Sequence, residues 1–361
     1  MRILRIIGLC GWAALCAACT APRVQRPDIE IPIAQQRSAP RLTRVHWQQV
    51  EGWQEDALMG VTAALDENCL RIGQQSVWQR ICAAAKQLDR FDSVATRAFF
   101  EQYFTPFQLR NSDGTAEGLV TGYYEPLVRG ARVRHAPYLY PLYRWPPGMA
   151  RKAALPARAA LLGSPLLKGA ELVYLDDPVE AFFLQVQGSG RIVLEDGSVM
   201  RIGFDGSNGH PYRSIGRWLI EQGALTPGQV TMQGIKAWGR AHPQRIDALL
   251  NINPRFIFFK ALPASGSAAD GPTGAMGAHL TAQRSIAVDP AAVPLGLPVF
   301  LSTRHPLSSA PLSRLVFAQD TGSAIKGTVR ADYFWGSGDE AGRHAGQMSA
   351  PGRMWVLLPR E

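Results

Sequence analysis

The last third of the chain is a succession of short apolar segments separated by turns. After Asn253-Pro254 come FIFFKAL, SIAVDP, LPVFLS, LVFAQD, VRADYFW and MWVLLP, with a glycine-rich stretch at 264–278. Short apolar runs bounded by glycine and proline favour strands over helices. Six such strands with almost no helix among them predict a small closed barrel, because closure removes the exposed edges of a sheet.

The region upstream of these segments extends the prediction to a mainly β fold with a few helices. From Leu119 onward it contains LVTGYYEPLV, YPLY, ELVYLDDP and AFFLQVQGSGRIVLEDGSVMRIGF. The Asp196-Gly197 pair in the last run predicts the turn of a β-hairpin. Helical spacing and cap residues predict helices at Trp53–Leu65, Ala95–Tyr103, Tyr212–Gln222, Thr226–Trp238 and Pro243–Leu250.

Charge and the N-terminal segment together predict an exported protein that acts on an anionic surface or polymer. Arg2 and Arg5 precede an apolar run, 6–18, that has the length of a signal peptide and is too short to span a bilayer. The net charge is +9 and the basic residues are spread along the chain. Because no run of lysine or arginine resembles a nucleic-acid-binding arm, we expect no nucleic-acid partner.

The apolar run ends in the sequence CAAC (16–19), which resembles the processing site of bacterial lipoproteins. The resemblance implies that 1–19 is a signal peptide and that lipid is attached to Cys19, which would anchor the protein to a membrane. The residue after Cys19 is Thr20 and not an aspartate, and by the same resemblance this implies the periplasmic face of the outer membrane. The proline- and arginine-rich segment 20–42 then predicts a flexible tether. An ordinary secretory signal cut nearby is the alternative, and it also predicts export.

Two cysteines, Cys69 and Cys82, follow the predicted signal segment. An oxidising periplasm would allow a disulfide between them, and two separately buried thiols are the alternative. They do not predict a zinc site, because no pair of histidines lies near them in the sequence.

Three aspartates in the C-terminal region are the candidates for chemistry. Asp289, Asp320 and Asp332 each lie at the edge of an apolar strand, and aromatic residues follow Asp332 directly. A carboxyl group that aromatic neighbours shield from water has a raised pKa, which suits a general acid at neutral pH. Aspartates followed by proline or by Thr-Gly also form turns, so each one taken alone favours a structural role, whereas three such aspartates within 289–332, one beside aromatic residues, favour a site.

Four motifs resemble the membrane-bound lytic murein transglycosylase A family, and the likeness covers residues 119–358. They are TGYYEP (121–126), QVQGSG (185–190), the span Gly271–Leu301 and the span Gln319–Gly342. The resemblance implies a double-psi β-barrel, formed by 43–127 with its N-terminal helices and by 253–361. A β-rich substrate-binding domain, 128–252, would be inserted between these two parts, with a groove between the domains.

The implied reaction cleaves the β-1,4 bond between N-acetylmuramic acid and N-acetylglucosamine and forms 1,6-anhydromuramic acid. The attacking group is the C6 hydroxyl of the substrate, so one carboxyl can act first as acid and then as base, where ordinary glycosidases use two. The resemblance assigns this catalytic role to Asp332. Asp320 is expected to assist it, either by raising its pKa through like charge or by stabilising the oxocarbenium-like positive charge, and Asp289 to hold a structural turn.

The remaining expected site residues would bind the glycan. They are Tyr123, Tyr124, Glu125, Gln187, Ser189, Arg191, Tyr333 and Trp335. Strand alternation allows only about half of the aromatic side chains to face one side, so the others belong to a core. For the residues near the QVQGSG motif, a glycine-containing hairpin turn is the alternative to hydrogen bonding with sugar. No metal or organic cofactor is implied.

Two other functions remain as alternatives to the lytic transglycosylase. One is a non-lytic, wall-loosening glycan-binding module that resembles expansins, and the other is a hydrolytic muramidase in which water attacks. The expected partners are peptidoglycan glycan strands, the outer-membrane lipid anchor, and complexes with enzymes of cell-wall synthesis or hydrolysis. The scattered histidines and the absence of a nucleophile-elbow motif argue against zinc peptidase and serine hydrolase chemistry.

Overall fold

The computed structural model describes residues 41–151, 154–263 and 271–360. Cys19, the predicted signal segment and nearly all of the predicted tether lie outside these residues. The strands are β1 (Arg41–Arg44), β2 (Phe104–Arg110), β3 (Gly118–Glu125), β4 (Leu127–Ala131), β5 (Tyr140–Tyr143), β6 (Glu171–Leu175), β7 (Ser189–Leu194), β8 (Val199–Ser207), β9 (Ile257–Ala261), β10 (Ser285–Val288), β11 (Pro298–Arg304), β12 (Pro311–Thr321), β13 (Arg330–Ser337) and β14 (Ser349–Pro359). The α-helices are α1 (Val61–Ile72), α2 (Ser76–Ala85), α3 (Ser93–Tyr103), α4 (Arg158–Leu162), α5 (Pro178–Gln187), α6 (Ile215–Glu221), α7 (Met232–Ala241), α8 (Ile246–Leu250) and α9 (Gly338–Gln347).

The first sheet closes on itself, which confirms the predicted barrel. Its strands follow the order β14-β11-β12-β10-β13-β3, and β3 pairs back to β14. The length of β14 permits this closure, because Ser349–Gly352 pair with β3 whereas Trp355–Pro359 pair with β2, which continues to β1. Valine, isoleucine and leucine side chains of the barrel strands fill the interior together with Tyr333 and Trp335.

One predicted barrel strand belongs elsewhere. The FIFFKAL segment forms β9, which pairs with β8 in a second sheet of order β5-β6-β4-β7-β8-β9. Strand β3, which comes from the TGYYEP motif, takes the sixth place in the barrel. The Asp-Gly hairpin between β7 and β8 is confirmed, and Gly197 there has a φ of 79°, which favours glycine. The mainly β fold with a barrel and a second β-rich part is therefore confirmed.

Most of the predicted helices are present, but their bounds differ from the prediction. The segment AFFLQVQ, predicted as strand, forms α5, because Asp177 caps the backbone N–H groups of Val179 and Glu180 and Pro178 occupies the first turn. The predicted Trp53–Leu65 helix starts only at Val61, since Gly60 adopts the left-handed conformation. Helices α2, α4 and α9 were not predicted.

The N-terminal helices pack on the outside of the barrel around a second core. Trp53, Phe100 and Trp355 are fully buried in it. The structure joins Cys69 in α1 to Cys82 in α2 by a disulfide, with 5.6 Å between their Cα atoms, and so selects one of the two alternatives left open by the sequence.

A buried ion pair ties the segment before α1 to the barrel. Both carboxylate oxygens of Asp56 accept hydrogen bonds from the Arg284 guanidinium, at 2.6 and 2.9 Å, and the side chains are almost inaccessible to solvent. The backbone N–H of Leu315 in β12 donates to the same carboxylate at 2.7 Å. Burial raises the pKa of Asp56, but these partners outweigh burial and hold the pKa below its ordinary value.

The pair predicts a large and specific stability effect. Asp56→Asn should lower the free energy of unfolding by about 3–5 kcal/mol, because it leaves the buried Arg284 charge without a partner. The measurement is denaturant unfolding at neutral pH. The matched control is Asp66→Asn, which removes an exposed pair with Arg90 and should cost less than about 1 kcal/mol. Equal effects of the two substitutions would contradict the assigned role of the buried pair.

Candidate active site

Two of the predicted aspartates lie at one level of the barrel, on either side of β10. In the strand register, Ala287 of β10 pairs with Asp320 of β12 and with Asp332 of β13, and Asp332 pairs in turn with Thr121 of β3. Adjacent strands are about 4.8 Å apart, so the Cα atoms of the two aspartates are separated by roughly 10 Å. The barrel thus brings together two carboxyl groups and a hydroxyl group from three separate strands.

Asp332 has the environment of a carboxyl group that titrates near neutral pH. Its side chain is half-buried, and Thr121 Oγ1 donates a hydrogen bond of 2.6 Å to Oδ1. Burial raises the pKa of Asp332 to about 6, and the like charge of Asp320 acts in the same direction. The Thr121 hydrogen bond and the positive charge of Arg330 oppose the rise. The group is therefore mostly protonated when the pH is below about 6 and mostly charged when the pH is higher.

Asp320 is held in place by hydrogen-bond donors on both carboxylate oxygens. Tyr123 Oη donates to Oδ2 at 3.1 Å, and the backbone N–H of Ala275 donates to Oδ1 at 2.9 Å. Burial raises the pKa of Asp320, while these donors and the N–H of Thr321 limit the rise. The Tyr123 ring packs on Phe334, with 5.1 Å between ring centroids. These contacts fix the orientation of the Asp320 carboxylate beside the Asp332 site.

Asp289, the third aspartate, is engaged in backbone contacts after the end of β10. Its Oδ1 accepts from the N–H of Ala291 and its Oδ2 from the N–H of Gly327 at 3.0 Å. The Lys326 ammonium lies 3.9 Å from its carboxylate. These contacts join two loops, which favours the expected structural role.

A groove between the barrel and the second sheet passes Asp332. One cavity in it, of about 140 Å³, is lined by Asp332 and the loop 322–325 on the barrel side and by Arg158, Gln185 and Arg255 on the other. A second cavity, of about 160 Å³, is lined by residues that include Gly122, Tyr124, Gln187 and Met232. Tyr212 lines both cavities and so marks where they adjoin.

Tyr124 and Gln187 of the expected binding set do lie along this groove. The Tyr124 N–H donates to Gln187 Oε1 at 3.3 Å, and Tyr124 Oη lies 3.4 Å from Met232 Sδ. Gly342 of α9 lies so close to the Tyr124 ring that an added Cβ would come within 2.9 Å of it. The ring is thereby wedged between α9 and α7, with most of its surface buried.

Glu125 and Arg191 of the same set contact each other. Glu125 is fully buried, and its Oε2 accepts from Arg191 Nε at 2.7 Å and from Ser337 Oγ at 2.9 Å. The pair joins the end of β3 to β7 and so connects the barrel with the second sheet at the groove. Ser189 is half-buried at the start of β7, where it pairs with Gly203 of β8.

Tyr333 and Trp335 do not lie on the groove, and we correct the prediction that they contact sugar. Tyr333 is fully buried in the barrel and donates to the carbonyl of Gln283 at 3.0 Å. Trp335 is 7% exposed, packs in the same core and stacks on His344. Side chains alternate along a strand, so both rings point away from the face that carries Asp332.

The sequence did not single out several residues that the structure brings to the groove. Thr121 lies within the TGYYEP motif, and Arg330 directly precedes Ala331-Asp332, so the motifs contained a signal for both. Arg158, Tyr212 and Arg255 carried no such signal. They reach the groove only through the arrangement of α4 and of the loops that follow β8 and α8.

Two protein-family models match the parts of the chain that form this site. The MltA specific insert domain matches residues 119–260, and the 3D domain matches residues 284–358. Together they contain Thr121, Asp320 and Asp332. A barrel that presents paired aspartates to a groove, combined with these two matches, defines the protein as a lytic transglycosylase.

Individual relatives narrow this class to one family. The membrane-bound lytic murein transglycosylase A of Escherichia coli K12 is 35% identical over 258 residues, which are 70% of this chain and 68% of the relative. The solved structure of the Burkholderia pseudomallei lytic transglycosylase LtgG is 62% identical, with a TM-score of 0.67 over 90% of this chain and 97% of that one. Escherichia coli MltA with bound chitohexaose is 30% identical, with a TM-score of 0.69 over 85% and 92% of the two chains. The chain belongs to the membrane-bound lytic murein transglycosylase A family and is a peptidoglycan lytic transglycosylase.

The hydrogen bond between Thr121 and Asp332 leads to a direct prediction. Thr121→Val keeps the side-chain shape but removes a donor to the charged carboxylate, so the pKa of Asp332 should rise above about 6. Carbon-13 NMR titration of labelled aspartate carboxyl groups measures this pKa. Thr43→Val, an exposed substitution in β1, is the control and should leave the pKa unchanged. A pKa that falls or stays constant in Thr121→Val would contradict the described geometry.

Proposed function

We propose that the protein cleaves the β-1,4 bond between N-acetylmuramic acid and N-acetylglucosamine, with formation of 1,6-anhydromuramic acid, and that Asp332 is the single acid and base. The observation that carries this proposal is the position of Asp332, a half-buried carboxyl with a pKa of about 6 in the wall of the groove. A pKa in this range lets one group give up a proton and later regain it near the working pH. Family membership favours this lytic reaction over the hydrolytic and non-lytic alternatives.

The proposed reaction returns Asp332 to its starting state. Protonated Asp332 gives its proton to the glycosidic oxygen, and the bond from that oxygen to C1 of the muramoyl residue breaks. The resulting oxocarbenium-like centre is attacked by the C6 hydroxyl of the same sugar, which forms the C1–O6 bond. The Asp332 carboxylate accepts the hydroxyl proton. No water is consumed, so no second carboxyl is needed to activate one.

Asp320 supports this chemistry in two ways. Its negative charge raises the pKa of Asp332 and favours the protonated form that starts the reaction. The same charge lies near the centre that becomes positive in the transition state and stabilises it. Tyr123 and the Ala275 N–H keep the carboxylate aimed at this position by their hydrogen bonds.

The glycan strand is proposed to lie along the groove, where Tyr124, Gln187 and Ser189 would contact sugar. Escherichia coli MltA was solved with bound chitohexaose, which supports glycan binding by a chain of this fold. Glu125 and Arg191 are proposed to hold the groove in shape, because each satisfies the charge of the other. In this proposal the barrel domain comprises 43–127 and 253–361 except β9, and the substrate-binding domain comprises 128–252 together with β9, which pairs with β8.

The proposed location is the periplasmic face of the outer membrane, with the protein held by lipid on Cys19 and acting in complexes with other cell-wall enzymes. The curated relatives are named membrane-bound, which supports association with a membrane. Within the described residues, no helix is both long and apolar enough to cross a bilayer.

The catalytic assignment predicts that Asp332→Asn abolishes lysis of purified sacculi and leaves glycan binding intact. Asparagine has nearly the same shape as aspartate but has no proton to exchange, so the rate should fall at least about a thousandfold. Turbidity of sacculi measures lysis, and sedimentation with sacculi measures binding. Asp339→Asn, an exposed substitution after β13, is the control and should retain activity. Near-normal lysis by Asp332→Asn would overturn the assignment.

Mass spectrometry of the products from the unmodified protein separates the two glycan-cleaving reactions. Anhydro-ended muropeptides are the expected products, because the C6 hydroxyl attacks. Reducing muramic acid ends would show that water attacks instead, and that result would contradict the proposed mechanism.

The role of Asp320 predicts a shift in the pH dependence of the reaction. Because activity requires protonated Asp332 at the start, kcat/KM should fall as the pH rises through its pKa. Asp320→Asn removes the like charge, lowers the pKa of Asp332 and should move this decline to lower pH. The pH profile of soluble glycan cleavage provides the measurement. A decline at the same or higher pH would show that Asp320 does not act through the charge of Asp332.

A further inference from the structure

A buried arginine, Arg158, lies in the groove wall without a negatively charged partner among the described residues. It is 4% exposed, and its guanidinium lies between the rings of Phe182 and Phe256, at 4.9 and 5.1 Å from their centroids. Its hydrogen bonds go to neutral acceptors, the carbonyls of Asn253 and Arg255 and Gln185 Oε1. These contacts fix the plane of the guanidinium but leave its charge uncompensated.

A second arginine, Arg255, lines the same cavity and is half-buried. Its Nη1 donates to the carbonyl of His210 at 3.1 Å, again a neutral acceptor, and no salt bridge to Arg255 is formed within the described part of the chain. Burial lowers the pKa of Arg255 and lowers that of Arg158 to about 10. Both guanidinium groups are still charged at neutral pH, so the cavity wall carries two cations that would gain from an anion.

The cavity these arginines line is the one that contains Asp332 on its other wall. We propose that Arg158 and Arg255 form a subsite for a carboxylate carried by the glycan strand, next to the bond that is cleaved. Among the described residues, the Arg255 guanidinium uses Nη1 for His210, so Nε and Nη2 form the donor pair that matches a carboxylate, whereas Arg158 contributes its charge and Nη1. A charge-assisted hydrogen bond of this kind is stronger than one between neutral groups. The inference rests on the proposed function, since it places the substrate in the same groove.

The chemistry of the substrate provides such a carboxylate in two ways. The lactyl group of N-acetylmuramic acid has a free carboxylate when the stem peptide is absent, and the stem peptide has carboxylates of its own when it is present. Chains of N-acetylglucosamine alone have none. A carboxylate subsite would therefore distinguish peptidoglycan from chitin-like glycans that share the same backbone, which is a question of specificity and not of catalysis.

Binding measurements on the full chain with Asp332→Asn test the subsite without turnover. The probes are peptide-free glycan of alternating N-acetylglucosamine and N-acetylmuramic acid, the same glycan with stem peptides, and chitohexaose, and calorimetry gives each Kd. Adding Arg255→Met should weaken binding of the carboxylate-bearing probes by about tenfold or more and leave chitohexaose unchanged. Arg255→Lys should recover part of the loss, because it restores charge without the paired donors.

The pattern across the probes identifies the carboxylate and can overturn the proposal. A loss on the peptide-free glycan assigns the subsite to the lactyl carboxylate, and a loss only on the peptide-bearing glycan assigns it to the stem peptide. An equal loss on chitohexaose, or no loss on either carboxylate-bearing probe, would overturn the subsite. Arg240→Met, an exposed substitution at the end of α7 with the same change in charge, is the control and should bind like the parent.

The outcome also separates this inference from the proposed function. If the Asp332→Asn protein bound chitohexaose and both glycans equally well, and Arg255→Met changed nothing, the groove would stand and the subsite would fall. If the parent bound none of the probes, the groove itself would be wrong, and the subsite with it. Arg158→Met should show the same selective loss as Arg255→Met, together with a lower melting temperature because three acceptors lose their donor.

Discussion

The parallel pairing of β3 with β13 is the contact on which the site depends. The two strands are separated by about two hundred residues, yet their register sets Thr121 against Asp332 and the end of β3 near Ser337. Parallel strands need a crossover connection, and here the second sheet lies within that connection. The topology that closes the barrel therefore also carries the chain out into the opposite wall of the groove. Glu125, with Arg191 and Ser337, fixes the point where the chain leaves the barrel.

The pKa of Asp332 results from opposing electrostatic effects within this frame. Burial and Asp320 favour the neutral acid, while Thr121 and Arg330 favour the carboxylate. If burial acted alone, the group would remain an acid and serve poorly as a base. If the donors dominated, it would be a carboxylate without a proton to give. A pKa of about 6 lies between these limits, which is what a mechanism with one group in both roles requires.

Sequence reasoning succeeded where the information is local and failed where it depends on register or packing. Strand-edge aspartates and the Asp-Gly hairpin are local features, and the structure places Asp320 and Asp332 near the ends of β12 and β13 and the hairpin between β7 and β8. Alternation could have excluded Tyr333 and Trp335, because they lie on the strand face opposite Asp332, and Asp177-Pro178 signalled the start of α5. The pairing of Thr121 with Asp332 joins strands far apart in sequence, so no local pattern predicts it. Arg158 and Arg255 reach the groove only through tertiary packing.

In the proposed function the two walls of the groove have different chemical tasks, because the carboxyl groups come from barrel strands and the arginines from α4 and the loop after α8. The barrel wall supplies the carboxyl groups, whose environment is set by strand register, whereas the other wall supplies arginines held by backbone carbonyls and aromatic rings. Substitutions in the arginine wall can therefore change which glycan binds without changing the strand register that sets the pKa of Asp332. An anion bound by the arginines would lie across the cavity from Asp332, and its negative charge would disfavour the charged form of Asp332. Substrate binding would in this way favour the protonated acid that begins the reaction.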